Sequence, residues 1–419
     1  MTGLDRTAVT LRNGVRVVYA RDTAMPVAAV HVRVEVGSRD ERPGRSGFAH
    51  LFEHLMFAAT AGMDGGDHVR AIETAGGFTN ANTLVESTSY FQTVPGPAAP
   101  LAVWLEARRL ARLPEGIDAG ILDREREVVR NEWRDAVLNT PYGDAREAVT
   151  AAMYPPPHPF SRTPTGEIGD LDAATVDGAR DFFADHYVPG RVLVAVAGRF
   201  DRALVEDEVE RGFGGLRADR GGGPRPAAGG ADIPDEPVRL DRRSAAPPNL
   251  VVAHRLPPAR GVTFAAADVT AAVLATGQAS RLQRRLRSDT ALAANIQIKL
   301  LPMIAGDSMA IVRLRPAAGV DTARLESAYL DQLVALAMDG PFDQELERAK
   351  SQRLAAWLAD VERPRMLAED LTWDWAARGE ARPPGESIRR VLAVTAADVR
   401  ECAAALLRRR RVTLTYHST

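Results

Sequence analysis

The spacing of apolar positions along the chain changes several times, and each change marks an element. "VTLRNGVRVVYA" sets two short alternating runs on either side of Asn13-Gly14, which is the pattern of a hairpin. Residues 27–41, "VAAVHVRVEVGSRDE", read as a further strand that ends in a Gly-containing loop. At "GFAHLFEHLMF" (47–57) the period becomes helical, with Ser46 as the expected N-cap. A second helix is predicted over 66–74, closed by Gly76-Gly77, before the strand-like "FTNANTLVESTSYFQTVP". "PLAVWLEARRLARL" and the stretch from Asp118 to about Val137 are helical by periodicity. "DGARDFFADHYVPGRVLVAVAGRF" reads as helix, turn and strand.

From Gly214 to Pro237 the pattern dissolves into "GGLRADRGGGPRPAAGGADIPDEP", the composition of a linker. Beyond it come the strands "VRLDRR" and "NLVVAHRLP", a helix from about Ala266 to Thr276, and "RLQRRLRSDTALAANIQIKL". The residues hardly match those of the first half, yet the strand–strand–helix order repeats, which points to an internal duplication. No Gly-rich phosphate fingerprint of a dinucleotide fold accompanies the alternation of strands and helices.

Composition narrows the function classes. At 419 residues the chain is too long for one compact core, so two domains are expected. Hydrophobic residues at 45% and charged residues at 26% are ordinary for a soluble globular protein. A formal net charge of −2 supplies no field to gather nucleic acid or an anionic membrane. Cys402 stands alone, so no disulfide forms within the chain, which suits a reducing compartment. The first residues carry no apolar core of signal-peptide length, and no later stretch would span a bilayer. The expectation is a soluble, cytoplasmic protein.

The candidate chemistry lies in the helix at 47–57. His50, Glu53 and His54 sit among Phe48, Leu51, Phe52, Leu55 and Met56. Burying polar groups without partners costs roughly 2–7 kcal/mol, so something must compensate. Positions i and i+4 share a helix face, so His50 and His54 can aim two imidazoles at one metal. Catalytic zinc takes three protein ligands and keeps a fourth place for water. Glu53 would stand beside that water as general base. The competing reading is a solvated face with capped or ion-paired histidines, and the apolar neighbours argue against it. A third ligand is sought in "LDREREVVRNEWRDAV" (122–137). Glu125 and Glu132 share one face with Val128 and Val129, while Glu127 falls on another as a surface charge. Two acids on one face suit one ligand and one group that orients a ligand. The alternative is an exposed, charge-rich helix.

"HLFEH" followed by "EREVVRNE" resembles the pitrilysin/insulinase family of zinc metallopeptidases, which includes the mitochondrial processing peptidase. "LRNGVRVV", "SGFAHLFEHLMFAAT", "GGFTNANTLVESTSYF", "PYGDA", "HPFSRTPTGEIGDL", "HYVPGRVLVAVAGRF" and "GQASRLQRRLRS" extend the resemblance over nearly the whole chain. The resemblance implies that His50, His54 and Glu132 bind one zinc per chain. By it Glu53 activates water and Glu125 supports the site from behind a ligand. Asn80 and Ala81 match an edge strand that holds an extended peptide by strand addition. His158 is expected to be structural. The implied fold is α+β: two homologous domains, each a mostly antiparallel sheet backed by helices. Their expected bounds are 1–213, a linker at 214–237, and 238–419, the last binding no metal.

The family's second domain usually carries an Arg and, seven residues later, a Tyr that hold the substrate and stabilise the tetrahedral intermediate. By the resemblance Arg287 takes the first position, and the second falls on Ala294, which donates no hydrogen bond. Loss of one such donor typically costs about 10²–10³ in rate. The expectation is therefore a zinc endopeptidase acting on short, unstructured peptides, with the Arg/Tyr pair supplied by a homologous subunit in a heterodimer. A homodimer is the alternative assembly, and a non-catalytic scaffold or processing subunit the alternative function. S-ribosylhomocysteine cleavage, which uses a similar inverted metal motif, needs a cysteine near the metal, and Cys402 is remote in sequence.

Overall fold

Alternating apolar runs become two sheets in the computed structural model, which describes residues 5–217, 228 and 233–419. The chain divides into two compact units. The first comprises Met1–Asp135, Arg162–Arg225 and Asp360–Pro384; the second comprises Ala136–Ser161, Pro226–Ala359 and Gly385–Thr419. The expected linker centres on 218–227 and 229–232, which lie outside the described residues.

In the first unit, β1 (Asp5–Thr10) and β2 (Arg16–Arg21) form the hairpin expected around Asn13-Gly14, paired Val9 to Val17 and Thr10 to Arg16. β3 (Val27–Val34), β4 (Phe78–Thr83), β5 (Thr88–Pro95) and β6 (Val192–Gly198) complete a sheet of order β1-β2-β6-β3-β5-β4. Only the β2/β6 pair is parallel. The apolar run expected as one strand over 78–95 is a hairpin instead. Leu84 N–H donates to the Ser87 carbonyl (2.8 Å), and Glu86 is drawn into a buried ion pair with Arg39 (2.9 Å). Period-2 alternation continues through so short a turn, so the pattern did not mark it.

Helices α1 (Phe48–Ala58), α2 (Asp67–Thr74), α3 (Ala99–Gly116) and α4 (Ala119–Trp133) follow the expected periodicities. α4 stops at Trp133 and passes into a π-turn over Arg134–Leu138. The sheet is covered on both faces. On one lie α1 and α3, with Leu51, Phe52, Leu55 and Leu105 in the core alongside Val17, Val30, Val194 and Val196. On the other, Leu367, Ala368, Leu371 and Trp375 of helix Pro364–Arg378 pack against Val18, Ala29, Ala195 and Ala197. Thr372 Oγ1 and His31 Nδ1 meet at 3.0 Å in that layer.

The second unit contains β7 (Val238–Ser244), β8 (Asn249–Leu256), β9 (Ala293–Leu301), β10 (Ser308–Pro316) and β11 (Arg411–Ser418), in the order β7-β11-β8-β10-β9. Again a single pair, β7/β11, is parallel. Helix α5 (Ala145–Met153) belongs here: Arg410 donates to the Ala152 carbonyl (3.1 and 3.0 Å) and Tyr416 to Asp144 (2.5 Å). The compact units thus depart from the contiguous division expected at 213 and 238. Residues 136–161 pack with the second sheet and 360–384 with the first, because each sheet has an apolar face that its own half of the chain leaves open. Among the described residues, no helix is long and apolar enough to cross a membrane.

Candidate metal centre

α1 is fixed to the sheet by one stripe. Phe48, Ala49, Leu51, Phe52, Leu55 and Met56 are buried, and the Phe52 ring lies 4.8 Å from Phe182 and 5.7 Å from Tyr187. His50, Glu53 and His54 occupy the remaining, half-buried stripe. Ser46 does not cap the helix. The N-cap is Gly47 at φ +90°, and its own amide (3.0 Å) and that of Ala49 (2.9 Å) donate to the two carboxylate oxygens of Glu41. A Cβ at Gly47 would lie 3.2 Å from Leu171 and 3.3 Å from Gly166, so the position needs glycine for space as well as for φ. Burial pushes the Glu41 carboxyl up to about 8, against the two amide bonds that favour its charge.

α4 crosses beside α1 and delivers the acids. Glu132 Oε2 lies 3.5 Å from His50 Nε2 and 3.4 Å from His54 Nε2, and one donor atom from each of the three falls within 4.8 Å of the others. Zinc–ligand bonds of about 2.0–2.2 Å in a tetrahedron give ligand–ligand edges of about 3.3–3.6 Å, so this donor set fits zinc. Glu125 Oε2 stands 3.7 Å from His54 Nδ1, on the far side of that ring. The side chain of Glu132 is 51% exposed and that of Glu125 17%, so the outer acid reaches between the imidazoles and the inner one backs the ring. A carboxylate at Nδ1 favours the tautomer that leaves Nε2 free to ligate. Burial, then the charge of His54, lowers His50 to about 4. Burial also pulls His54 down, but the Glu125 bond and the charges of Glu132 and Glu53 outweigh it and raise its pKa.

Glu53 projects beside this cluster. Its Oε2 accepts the Thr83 hydroxyl at 2.6 Å. Burial raises its pKa, with Glu132 acting the same way and Thr83 and His54 opposing. β4, which carries Thr83, is an edge of the sheet, paired among the described residues with β5 alone. Asn80 and Ala81 lie on it; Asn80 is exposed, Ala81 is partly buried against the core, and the Ala81 amide is held by Asn80 Oδ1 (2.8 Å). Sequence reasoning did not single out Thr83 or Glu41. The signal for Thr83 was the alternation of β4, which puts Thr83 on the same face as Ala81.

Of the other expectations, Glu127 is a surface charge paired with Arg130 at 2.5 Å. Val129 is buried, but Val128 is 42% exposed, so the acid-bearing face of α4 is apolar on one flank only. His158 is buried, and its Nδ1 accepts the Phe160 amide (3.0 Å). Arg287 lies exposed in the π-turn Gln283–Asp289, and Ala294 lies on β9.

Two homologous α+β domains, one of them with a histidine–carboxylate cluster at the face of its sheet, define the class. Residues 16–155 match the family described as Insulinase (Peptidase family M16), and residues 173–353 match the Peptidase M16 inactive domain. The chain belongs to the insulinase family of peptidases, family M16. An uncharacterised zinc protease of Mycobacterium tuberculosis (strain H37Rv) is 30% identical over 406 residues, 96% of this chain and 90% of that protein. The zinc protease PqqE of Helicobacter pylori is 32% identical over 213 residues, covering 50% of this chain and 47% of its own. The crystal structure of a protease from Helicobacter pylori matches with a TM-score of 0.88 at 22% identity over 99% of both chains, a likeness of fold.

Proposed function

We propose that this chain is a zinc-dependent endopeptidase for short, unstructured peptides, with one zinc held by His50, His54 and Glu132 and with Glu53 as general base. The observation that carries it is that Glu132 Oε2, from one helix, lies 3.5 Å from His50 Nε2 and 3.4 Å from His54 Nε2 of another, with one donor atom from each of the three within 4.8 Å of the others. When bound, zinc supplies Lewis acidity, polarising oxygen at its open position. Glu53 takes the proton of the attacking water and returns it to the leaving amine. Glu125 keeps the His54 ring in its ligating orientation. An extended peptide adds to the β4 edge at Asn80 and Ala81, exchanging the local Asn80–Ala81 bond for backbone pairing.

Ala294 supports a second element of the reading. No hydroxyl stands where the family usually has its oxyanion-stabilising tyrosine, so a homologous subunit supplies the Arg/Tyr pair in a heterodimer. The lone Cys402 suits a cytoplasmic site of action. Two measurements test the reading. Glu53→Gln should keep about one zinc per chain and lose at least about 10²-fold in peptide hydrolysis; hydrolysis at the wild-type rate would end the base assignment. Mixing with a co-encoded homologue should raise activity, and full activity of the isolated chain would remove the case for a partner.

A further inference from the structure

We propose that Thr83 is the positioning residue for Glu53, tying the base to the edge strand that receives the peptide; the proposal rests on the peptidase reading above. Thr83 is the last residue of β4. Its backbone is fixed by pairing with Thr88, the first residue of β5, and by the Leu84–Ser87 turn immediately after it. Thr88 is anchored in turn, its hydroxyl donating to the Val36 carbonyl at 3.0 Å. The Thr83 side chain therefore starts from a rigid point. As a β-branched residue it also has few χ1 choices.

From that point its hydroxyl reaches two acceptors on α1. It donates to Glu53 Oε2 at 2.6 Å, while the Ala49 carbonyl at 3.5 Å is at the limit of a hydrogen bond. A hydroxyl has one proton, so the short bond to the carboxylate takes it. Charge-assisted bonds of this kind are about twice as strong as neutral ones. Glu53 is long and flexible, and this bond selects one of its rotamers.

The consequence concerns register. A peptide that pairs with β4 has its residues set by the β4 backbone, one for one. Because Thr83 belongs to that strand, the same backbone that sets the peptide also sets the carboxylate. Docking and base placement then share one frame, and a misplacement of about 1 Å between them would cost on the order of 10²-fold in rate.

The test uses zinc-loaded full-length protein, the variants Thr83→Val and Thr83→Ser, and an unstructured fluorogenic peptide. Thr83→Val keeps the shape and removes the donor; Thr83→Ser keeps the donor. The expected result is an unchanged zinc content and KM, with kcat lower by about tenfold to a hundredfold in Thr83→Val and restored to within about threefold in Thr83→Ser. A readout without turnover is calorimetric binding of acetohydroxamic acid, whose proton passes to a carboxylate beside the metal. Affinity should fall about tenfold in Thr83→Val alone, or 1.4 kcal/mol. The proposal is overturned if Thr83→Val matches wild type in both kcat and hydroxamate affinity. Equal losses in Thr83→Ser, or loss of zinc in either variant, overturn it too, because the role would then be structural. If Glu53→Gln hydrolyses the peptide like wild type, the failure lies with the base itself rather than with Thr83.

Discussion

Set β1 aside and the two sheets have the same order and the same pairing directions: β2-β6-β3-β5-β4 in the first unit and β7-β11-β8-β10-β9 in the second, each with one parallel pair in the same place. Each also places a helix between its second and third strands in chain order, α1 in the first and Thr263–Ala275 in the second. Counted from the first residue of each helix, His50, Glu53 and His54 correspond to Ala265, Asp268 and Val269. In the helix that follows the next long one, Glu125 and Glu132 of α4 correspond in the same way to Ala349 and Ala356 of Asp343–Val361. Where the first unit gathers His50, His54 and Glu132, the second has an Asp268–Arg353 ion pair at 2.8 Å. Among the described residues the His50, His54 and Glu132 group is the one cluster able to hold a metal. One scaffold thus serves both, and the difference lies in a handful of side chains on two helices.

The comparison can be broken most severely at the proposed ligands. His50→Ala should abolish stoichiometric zinc binding, measured by metal analysis after dialysis, because two donors rarely retain what three hold. Retention of one zinc per chain would move the metal elsewhere. Next in size is the support of α1. Glu41→Ala removes the acceptor for two helix N-terminal amides and should lower stability by about 1–2 kcal/mol by denaturant titration, with weaker zinc binding alongside. The corresponding helix of the second unit has Val262 as its N-cap, whose side chain makes no cap bond. Asp268→Asn should cost about 1 kcal/mol and leave both zinc content and peptide hydrolysis untouched, whereas Glu53→Gln keeps zinc and loses hydrolysis.

The smallest effect concerns the helix that covers the outer face of the first sheet. Burial, then the neighbouring Asp374, pushes Asp370 up to about 6 from 3.8. A carboxyl raised in the folded state favours folding only while protonated, so its contribution is present at low pH and is lost as pH rises from about 4 through 6. Asp370→Asn should therefore raise the melting temperature at pH 7 and leave it nearly unchanged at pH 4. Equal shifts at both values would show that the carboxyl charge is not the cause.

Much of this was legible in the residues because the chemistry is local. His50, Glu53 and His54 lie within a single helical turn and a little more, where spacing alone dictates a shared face. The paired acids of α4 were legible for the same reason, the resemblance implying Glu132 as ligand and Glu125 as support; the structure puts Glu132 Oε2 near the Nε2 atoms of both histidines and Glu125 Oε2 near His54 Nδ1. Long-range partners were not legible. Glu41 caps α1 across a loop, so periodicity pointed to the adjacent Ser46. Thr83 touches Glu53 only because β4 folds back along α1. The exchange of 136–161 and 360–384 between the units was equally hidden, since composition reports that a face is apolar and not which segment covers it. The break at 84–87 escaped because alternation carries no register mark across a tight turn.

The most direct measurement is an anomalous difference map at the zinc edge from crystals of the zinc-loaded protein. One strong peak per chain is expected, about 2.0–2.2 Å from His50, His54 and Glu132. A map with no peak there, or with Glu132 turned to solvent and the ion held by other residues, would contradict it.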